Sequence, residues 1–263
     1  MAEGRLSGKR AFITGGAGGI GGTIARAFAS QGARVMVTDI AGPAAEAVAA
    51  GINADTPDAA FACAHDVTSE ADWTNALAKA NDALGGIDVL VNNAGIWAVG
   101  SVEETSPEEW RRCMSINLDS VYLGMRLAIP YLRDSQPASI INVSSIAGIV
   151  AGHNVAAYNA SKAGMWMLTK STALHCAQRG DDIRVNSIHP TFIETGLLQD
   201  VFARGGERKP LSDDQRDKLT RQIPLRRLCT VEDVAYAAIY LASDESRYMT
   251  ATEIKLDGGL SAM

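Results

Sequence analysis

A glycine-rich stretch near the start, Thr14-Gly15-Gly16-Ala17-Gly18-Gly19-Ile20-Gly21-Gly22, constrains this chain more than any other segment. It follows a short apolar run, Arg10-Ala11-Phe12-Ile13-Thr14, and precedes a helical pattern carrying Ile24, Ala25, Ala27 and Phe28. A strand, a glycine turn and a helix together make a phosphate site. Backbone N–H groups and the helix N-terminus face the anion, and side chains would keep it out. Two registers fit: Gly16, Gly18 and Gly21 satisfy G-x-G-x-x-G, while Gly15, Gly19 and Gly21 satisfy T-G-x-x-x-G-x-G. A plain flexible loop is the alternative.

The second strand, Ala33 to Thr38, ends at Asp39, 18 positions after Gly21. At that spacing a carboxylate accepts hydrogen bonds from an adenosine ribose. No base follows in Ile40-Ala41-Gly42-Pro43, and Asp39 would repel a 2′-phosphate, so the pattern predicts NAD(H) bound beside Asp39 and Ile40. Asp39 as a helix N-cap is the competing reading. A third strand, Ala60 to Val67, places Asp66 and Val67 where an adenine ring could lie. Ser69 then reads as the N-cap of a helix with an acidic first turn. A fourth strand, Ile87 to Val91, breaks off into Asn92-Asn93-Ala94-Gly95. A buried parallel strand is continuously apolar, so tandem asparagines at its end need a reason.

Strands and helices alternate from end to end, with no repeat or linker. The expectation is α/β: one doubly wound parallel sheet of about seven strands, a Rossmann-type domain over residues 1–263. The ligand crevice of such a sheet lies at the strand C-termini. With 47% hydrophobic residues a substantial core is expected. A net charge of −6 argues against a nucleic-acid or anionic-membrane partner. No apolar run could span a bilayer, and Met1-Ala2-Glu3-Gly4-Arg5-Leu6 has no signal-peptide core, so a cytoplasmic protein is expected. The four cysteines are too scattered for a zinc site and read as reduced thiols; no metal is expected.

Further on, Ser144-Ser145 close an apolar strand and Tyr158-Asn159-Ala160-Ser161-Lys162 opens a helix. Tyr158 and Lys162, four apart, share one helical face. A serine, a tyrosine and a lysine can converge on one small oxygen, which suits carbonyl reduction or alcohol oxidation. An ammonium nearby should pull the phenol's pKa toward neutrality. The helix beginning at Pro107 is apolar nearly all round but for Asn117, a candidate site residue because a buried polar group needs a partner. Residues 196–222 turn polar around Gly205-Gly206 and Ser212-Asp213-Asp214 and read as a mobile lid or, failing that, a surface loop.

In this order, Thr14-Gly15-x-x-x-Gly19-Ile20-Gly21, Asp66-Val67, Asn92-Asn93-Ala94-Gly95, Asn117, Ser145, Tyr158-x-x-x-Lys162 and Pro190-x-x-Ile193-x-Thr195 resemble the short-chain dehydrogenase/reductase family. The match runs over essentially the whole chain. The resemblance implies that Tyr158 exchanges the proton and that Ser145 orients the substrate oxygen. It implies that Lys162 binds the nicotinamide ribose and that Asn117 holds a relay water. Backbone contacts to the cofactor fall to Asn93, Ala94 and Gly95, nicotinamide contacts to Ile193 and Thr195, and assembly is a homotetramer. Ser144 competes with Ser145, but the thirteen positions from Ser145 to Tyr158 match the family. Two positions depart from the pattern: Thr191 and Ala251 stand where glycine is usual. His189-Pro190 looks like bacterial hydroxysteroid and cyclic-alcohol dehydrogenases, whereas Ile193-Glu194-Thr195 and Leu211 to Arg216 look like 3-oxoacyl-carrier-protein reductases. The expected activity is NAD(H)-linked interconversion of a bulky or cyclic secondary alcohol and its ketone. A thioester ketoreductase of fatty-acid type and a non-catalytic dinucleotide-binding protein are the alternatives.

Overall fold

The computed structural model describes residues 4–203, 207 and 209–263; Met1, Ala2, Glu3, Gly205, Gly206 and Arg208 of the stretches named above lie outside the described residues. Seven strands, β1 (Arg10–Thr14), β2 (Arg34–Asp39), β3 (Ala60–Ala64), β4 (Val89–Asn92), β5 (Ala138–Val143), β6 (Ile183–Pro190) and β7 (Glu253–Leu256), form one sheet. Its order is β3-β2-β1-β4-β5-β6-β7, and every pairing is parallel. The chain reverses its winding direction between β1 and β4, which opens a crevice at their C-terminal ends.

The strand period of two sorts the core into layers. Phe12, Met36, Leu90, Ile140 and Val185 face one side, under α3 (Glu70–Leu84), α5 (Ser120–Asp134) and α6 (Ala156–Arg179). Ile13, Val35, Val37, Val91 and Ile141 face the other, under α1 (Gly19–Ser30), α2 (Gly42–Asp55) and α9 (Val231–Ala242). Each such Ile, Leu or Phe contributes roughly 1.5–3 kcal/mol when fully buried. Local signals place the helix starts. Ser69 caps α3, and Ser106 with Glu109 forms a capping box on α4 (Pro107–Met114), whose first residue is proline.

Two segments carry structure that composition alone does not show. The helix expected to run on from Pro107 is interrupted by a π-helical turn, Ser115–Asp119, before α5 resumes. Such a turn inserts a residue and shifts the buried face, and it carries the fully buried Asn117 inward. The segment expected to be a mobile polar insertion contains two helices, α7 (Gly196–Ala203) and α8 (Asp213–Thr220). Leu198, Leu211 and Leu219 give it a small apolar cluster of its own, closed by Phe192 and Leu228. Sparse leucines among many charges hide such a cluster from a composition argument.

Ala251, where glycine is usual, has a φ of 58°. Left-handed backbone costs a residue with a Cβ about 1 kcal/mol or more. The loop cannot relax, because the Ala251 N–H donates to the Val185 carbonyl (2.9 Å) and the Val185 N–H donates to the Thr250 hydroxyl (3.1 Å). Ala251→Gly should therefore raise the unfolding free energy by about 1 kcal/mol. A urea melt that shows no gain would remove the strain from this account.

Candidate active site

The glycine turn leaves β1 and is held by β4. The Thr14 hydroxyl accepts from the N–H groups of Asn93 (3.0 Å) and Ala94 (3.1 Å). The Asn93 side-chain amide donates back to the carbonyls of Thr14 (2.9 Å) and Gly15 (3.0 Å). Asn92 turns the other way and donates to Asn142 (2.8 Å), which donates to Thr169 (2.8 Å). The tandem asparagines thus split between the turn and a buried network under α6. Gly15 has a φ of 62°, and a Cβ on Gly21 would sit 2.2 Å from the Gly15 carbonyl oxygen. Nothing lies within 4 Å of a Cβ on Gly18. A Cβ on Gly16 would lie 2.6 Å from Val37 Cγ1, while Gly19 is marked by its φ of 53° rather than by crowding, so packing makes demands on both registers and leaves only Gly18 open.

No side chain caps the N-terminus of α1, so its first N–H groups are presented to an anion. Beside it, Asp39 accepts from the N–H groups of Ala17 (3.1 Å) and Ala41 (3.0 Å). Ala41 is itself the N-cap of α2, so Asp39 is not that cap; its carboxylate ties the glycine turn to the end of β2. Spare lone pairs remain for ribose hydroxyls. Ile40 is exposed, and Val67 is nearly buried beyond the end of β3. The Asp66 carboxylate is engaged by the backbone and hydroxyl of Thr68 (2.9 and 2.7 Å). On the far side, Thr195 faces Gly19, whose Cβ would lie 3.8 Å from its methyl carbon, and Ile193 bridges to Cys229. Glu194 between them accepts from the Leu211 N–H (3.1 Å) and pairs with Arg216 (2.7 Å). It fastens this loop to α8. These residues fit a dinucleotide: an uncapped helix start, a cradle that a Cβ would fill, and a carboxylate at the far end.

Ser145, Tyr158 and Lys162 converge at the C-terminal edge of β5. The Ser144 hydroxyl donates to the Lys162 carbonyl (3.0 Å) and is spent there. Ser145 instead stands beside the Tyr158 phenol, close enough to act on its protonation, and its Oγ accepts from the Ala147 N–H (3.1 Å). Lys162 Nζ donates to the Val143 carbonyl (3.0 Å) and lies 5.8 Å from the centre of the Tyr158 ring. A Cβ on Gly95 would touch both Lys162 Nζ (3.6 Å) and Asn117 Oδ1 (3.3 Å), which brings the β4 loop into the same cluster.

The electrostatics run against the expectation for the phenol. Burial pushes Tyr158 up to about 12, opposed by the Ser145 hydroxyl beside it. Burial also pulls Lys162 down to about 8. The desolvation of both groups outweighs the attraction of a nearby ammonium. Asn117 finds its partners inside the protein. Its Oδ1 accepts from the Ile96 N–H (2.8 Å), and its amide donates to the Ile96 carbonyl (2.9 Å) and to Ser161 (3.2 Å). The side chain braces the β4 loop against α6.

Sequence reasoning passed over two members of the site. Trp97 stacks on Tyr158 with ring centres 4.2 Å apart. His189, fully buried, reaches the Ser145 carbonyl (2.9 Å). The signal that flagged Asn117, a polar residue within an apolar element, applies equally to His189 in β6.

The family model described as enoyl-(acyl carrier protein) reductase matches residues 15–261. An NADP-dependent (R)-specific alcohol dehydrogenase of Lentilactobacillus kefiri is 41% identical over 259 residues, 98% of each chain. A 3-alpha-(or 20-beta)-hydroxysteroid dehydrogenase of Mycobacterium tuberculosis is 40% identical and covers 99% of this chain and 92% of its own. Among solved structures, a short-chain type dehydrogenase/reductase from Mycobacterium marinum superposes with a TM-score of 0.89 at 34% identity. That match covers 98% of this chain and 97% of its own.

The buried lysine costs stability, and pH should reveal the cost. Below about pH 8 Lys162 is charged whether the chain is folded or unfolded, and the folded state bears the desolvation in full. As pH rises from about 8 toward the ordinary value of 10.5, the cost lapses, so stability gains. Lys162→Met should therefore stabilise the fold by about 2 kcal/mol at pH 7, net of the lost bond to Val143, with the advantage gone above about pH 10. Melting curves across pH would check this; an advantage independent of pH would assign it to packing instead.

Proposed function

Because this chain belongs to the short-chain dehydrogenase/reductase family, we propose that it interconverts a secondary alcohol, bulky or cyclic, and its ketone with NAD(H). The observation that carries the reading is the convergence of Ser145, Tyr158 and, one turn on, Lys162, whose Nζ lies 5.8 Å from the Tyr158 ring centre, at the crevice beside the glycine turn. Both named relatives are alcohol or hydroxysteroid dehydrogenases. When bound, the nicotinamide supplies or accepts the hydride. The protein's part is the proton. In reduction, Ser145 orients the carbonyl oxygen and Tyr158, protonated far above neutral pH, donates to it. Lys162, charged at pH 7, holds the nicotinamide ribose and favours the phenolate left behind. Asn117 holds a water that returns the proton. Gly15, Gly19, Ile20 and Gly21 receive the pyrophosphate. Asp39 and Ile40 meet the adenosine ribose, Asp66 and Val67 the adenine, and Asn93, Ala94, Gly95, Ile193 and Thr195 the nicotinamide half. The helices α7 and α8, the latter fastened by Glu194, cover the substrate. A thioester ketoreductase is the second reading, favoured by the acyl-carrier-protein description of the matching family model.

We propose assembly as a homotetramer, supported by exposed Tyr122, Met167 and Leu174 on α5 and α6. No described helix is long and apolar enough to cross a membrane. Sedimentation equilibrium should return the mass of four chains; a monomer at micromolar concentration would contradict it.

Tyr158→Phe keeps the ring and removes the proton. Ketone reduction should fall roughly 100- to 10,000-fold while NADH binding, followed by fluorescence, survives. Turnover within a few-fold of the parent would take Tyr158 out of this role.

Asp39 sets the cofactor. Loss of an acceptor and repulsion of the 2′-phosphate should together disfavour NADP(H) by ~2–4 kcal/mol, roughly 30- to 1000-fold in kcat/KM. Asp39→Ala should narrow the ratio, and adding Ile40→Arg should reverse it. A parent enzyme that already prefers NADPH, as the NADP-dependent Lentilactobacillus relative does by name, would overturn the assignment.

A further inference from the structure

We propose that His189 is a positioning residue for the reaction, its imidazole held as the Nδ1–H tautomer so as to fix the Ser145 backbone and aim the Ser145 hydroxyl at Tyr158. The proposal rests on the reading of the reaction given above. A carbonyl oxygen can only accept, so the 2.9 Å contact from His189 Nδ1 to the Ser145 oxygen places the ring proton on Nδ1. Burial pulls His189 down to about 4, so the ring carries one proton at working pH. Nε2 must then accept, and the Ser187 hydroxyl, 2.8 Å away, donates to it.

The ring is fixed from its flank as well. Trp166 meets it edge to face at 6.0 Å. The Trp166 indole donates to Glu253 (3.2 Å), which pairs with Lys170 (3.1 Å), and Lys170 lies 4.3 Å over the same indole. A histidine without exposure costs β6 the apolar packing that a buried parallel strand otherwise has. Ser145 needs such a brace. It stands in extended backbone past the end of β5, where the sheet ladder no longer fixes it. Its carbonyl is held by the Gly148 N–H (3.0 Å) and by His189.

Two measurements test this. In histidine-labelled protein, the ¹⁵N signals of His189, assigned by their loss in His189→Asn, should report Nδ1–H; an Nε2–H ring would overturn the proposal whatever the activity. In kinetics, His189→Asn places an amide donor near the Nδ1 position, His189→Gln places it near Nε2, and His189→Leu has none. His189→Gln and His189→Leu should lower kcat for ketone reduction about 10-fold or more with KM for NADH held, while His189→Asn stays within about three-fold of the parent. Equal losses in all three variants, following their melting temperatures, would reduce His189 to a core residue. A parent protein that reduces no ketone would refute the reaction reading instead, and the tautomer would still decide the geometry.

Discussion

An ammonium group buried at the edge of a parallel sheet is the constraint around which this molecule is built. Lys162 Nζ is nearly inaccessible and has the Val143 carbonyl at 3.0 Å. To deliver it there, α6 must approach the end of β5 more closely than side chains allow. A Cβ on Gly148 would lie 2.7 Å from the Lys162 carbonyl carbon, and one on Gly95 would press on Asn117 Oδ1 at 3.3 Å beside Nζ. The Ser144 hydroxyl then clasps the Lys162 carbonyl. Glycines and a serine that look like loop residues are thus conditions for lodging one charge.

Tyr158, one turn earlier on the same helix, shares the burial but not its direction. Low polarity raises the phenol and lowers the ammonium, so at neutral pH the site holds a protonated acid beside a cation. That is the state suited to giving a proton to a carbonyl. In the proposed reaction the reverse direction would work against the same burial, and the charge on this chain that would favour the phenolate is that of Lys162.

Much of this was legible in the sequence because parallel sheets put chemistry at strand ends. Gly15, Asp39, Asn93, Ser145 and Ile193 each follow an apolar strand, and the seven-stranded sheet brings those ends to one edge. What escaped depends on packing between segments distant in the chain. Which glycines are crowded was set by the Ala94 loop against Gly15, Val37 against Gly16 and the Gly15 carbonyl against Gly21. The π-turn around Asn117 needed Ile96, twenty-one positions away, to make it worthwhile. The direction of the Tyr158 shift could not be read from a Tyr-x-x-x-Lys spacing, since spacing reports proximity and not desolvation. His189 was overlooked because a histidine before a proline resembles a strand end, while its partner, the Ser145 carbonyl, has no letter in the sequence.

The central claim is that this edge of the sheet transfers hydride between a nicotinamide and a carbon bearing oxygen. The most direct measurement is a turnover with NADH deuterated at the reactive face of C4 and a cyclic ketone, with the product analysed by mass spectrometry. The account predicts a secondary alcohol carrying that deuterium on its carbinol carbon, with the hydroxyl proton drawn from solvent. Cofactor oxidised without alcohol, or alcohol formed without the label, would contradict it.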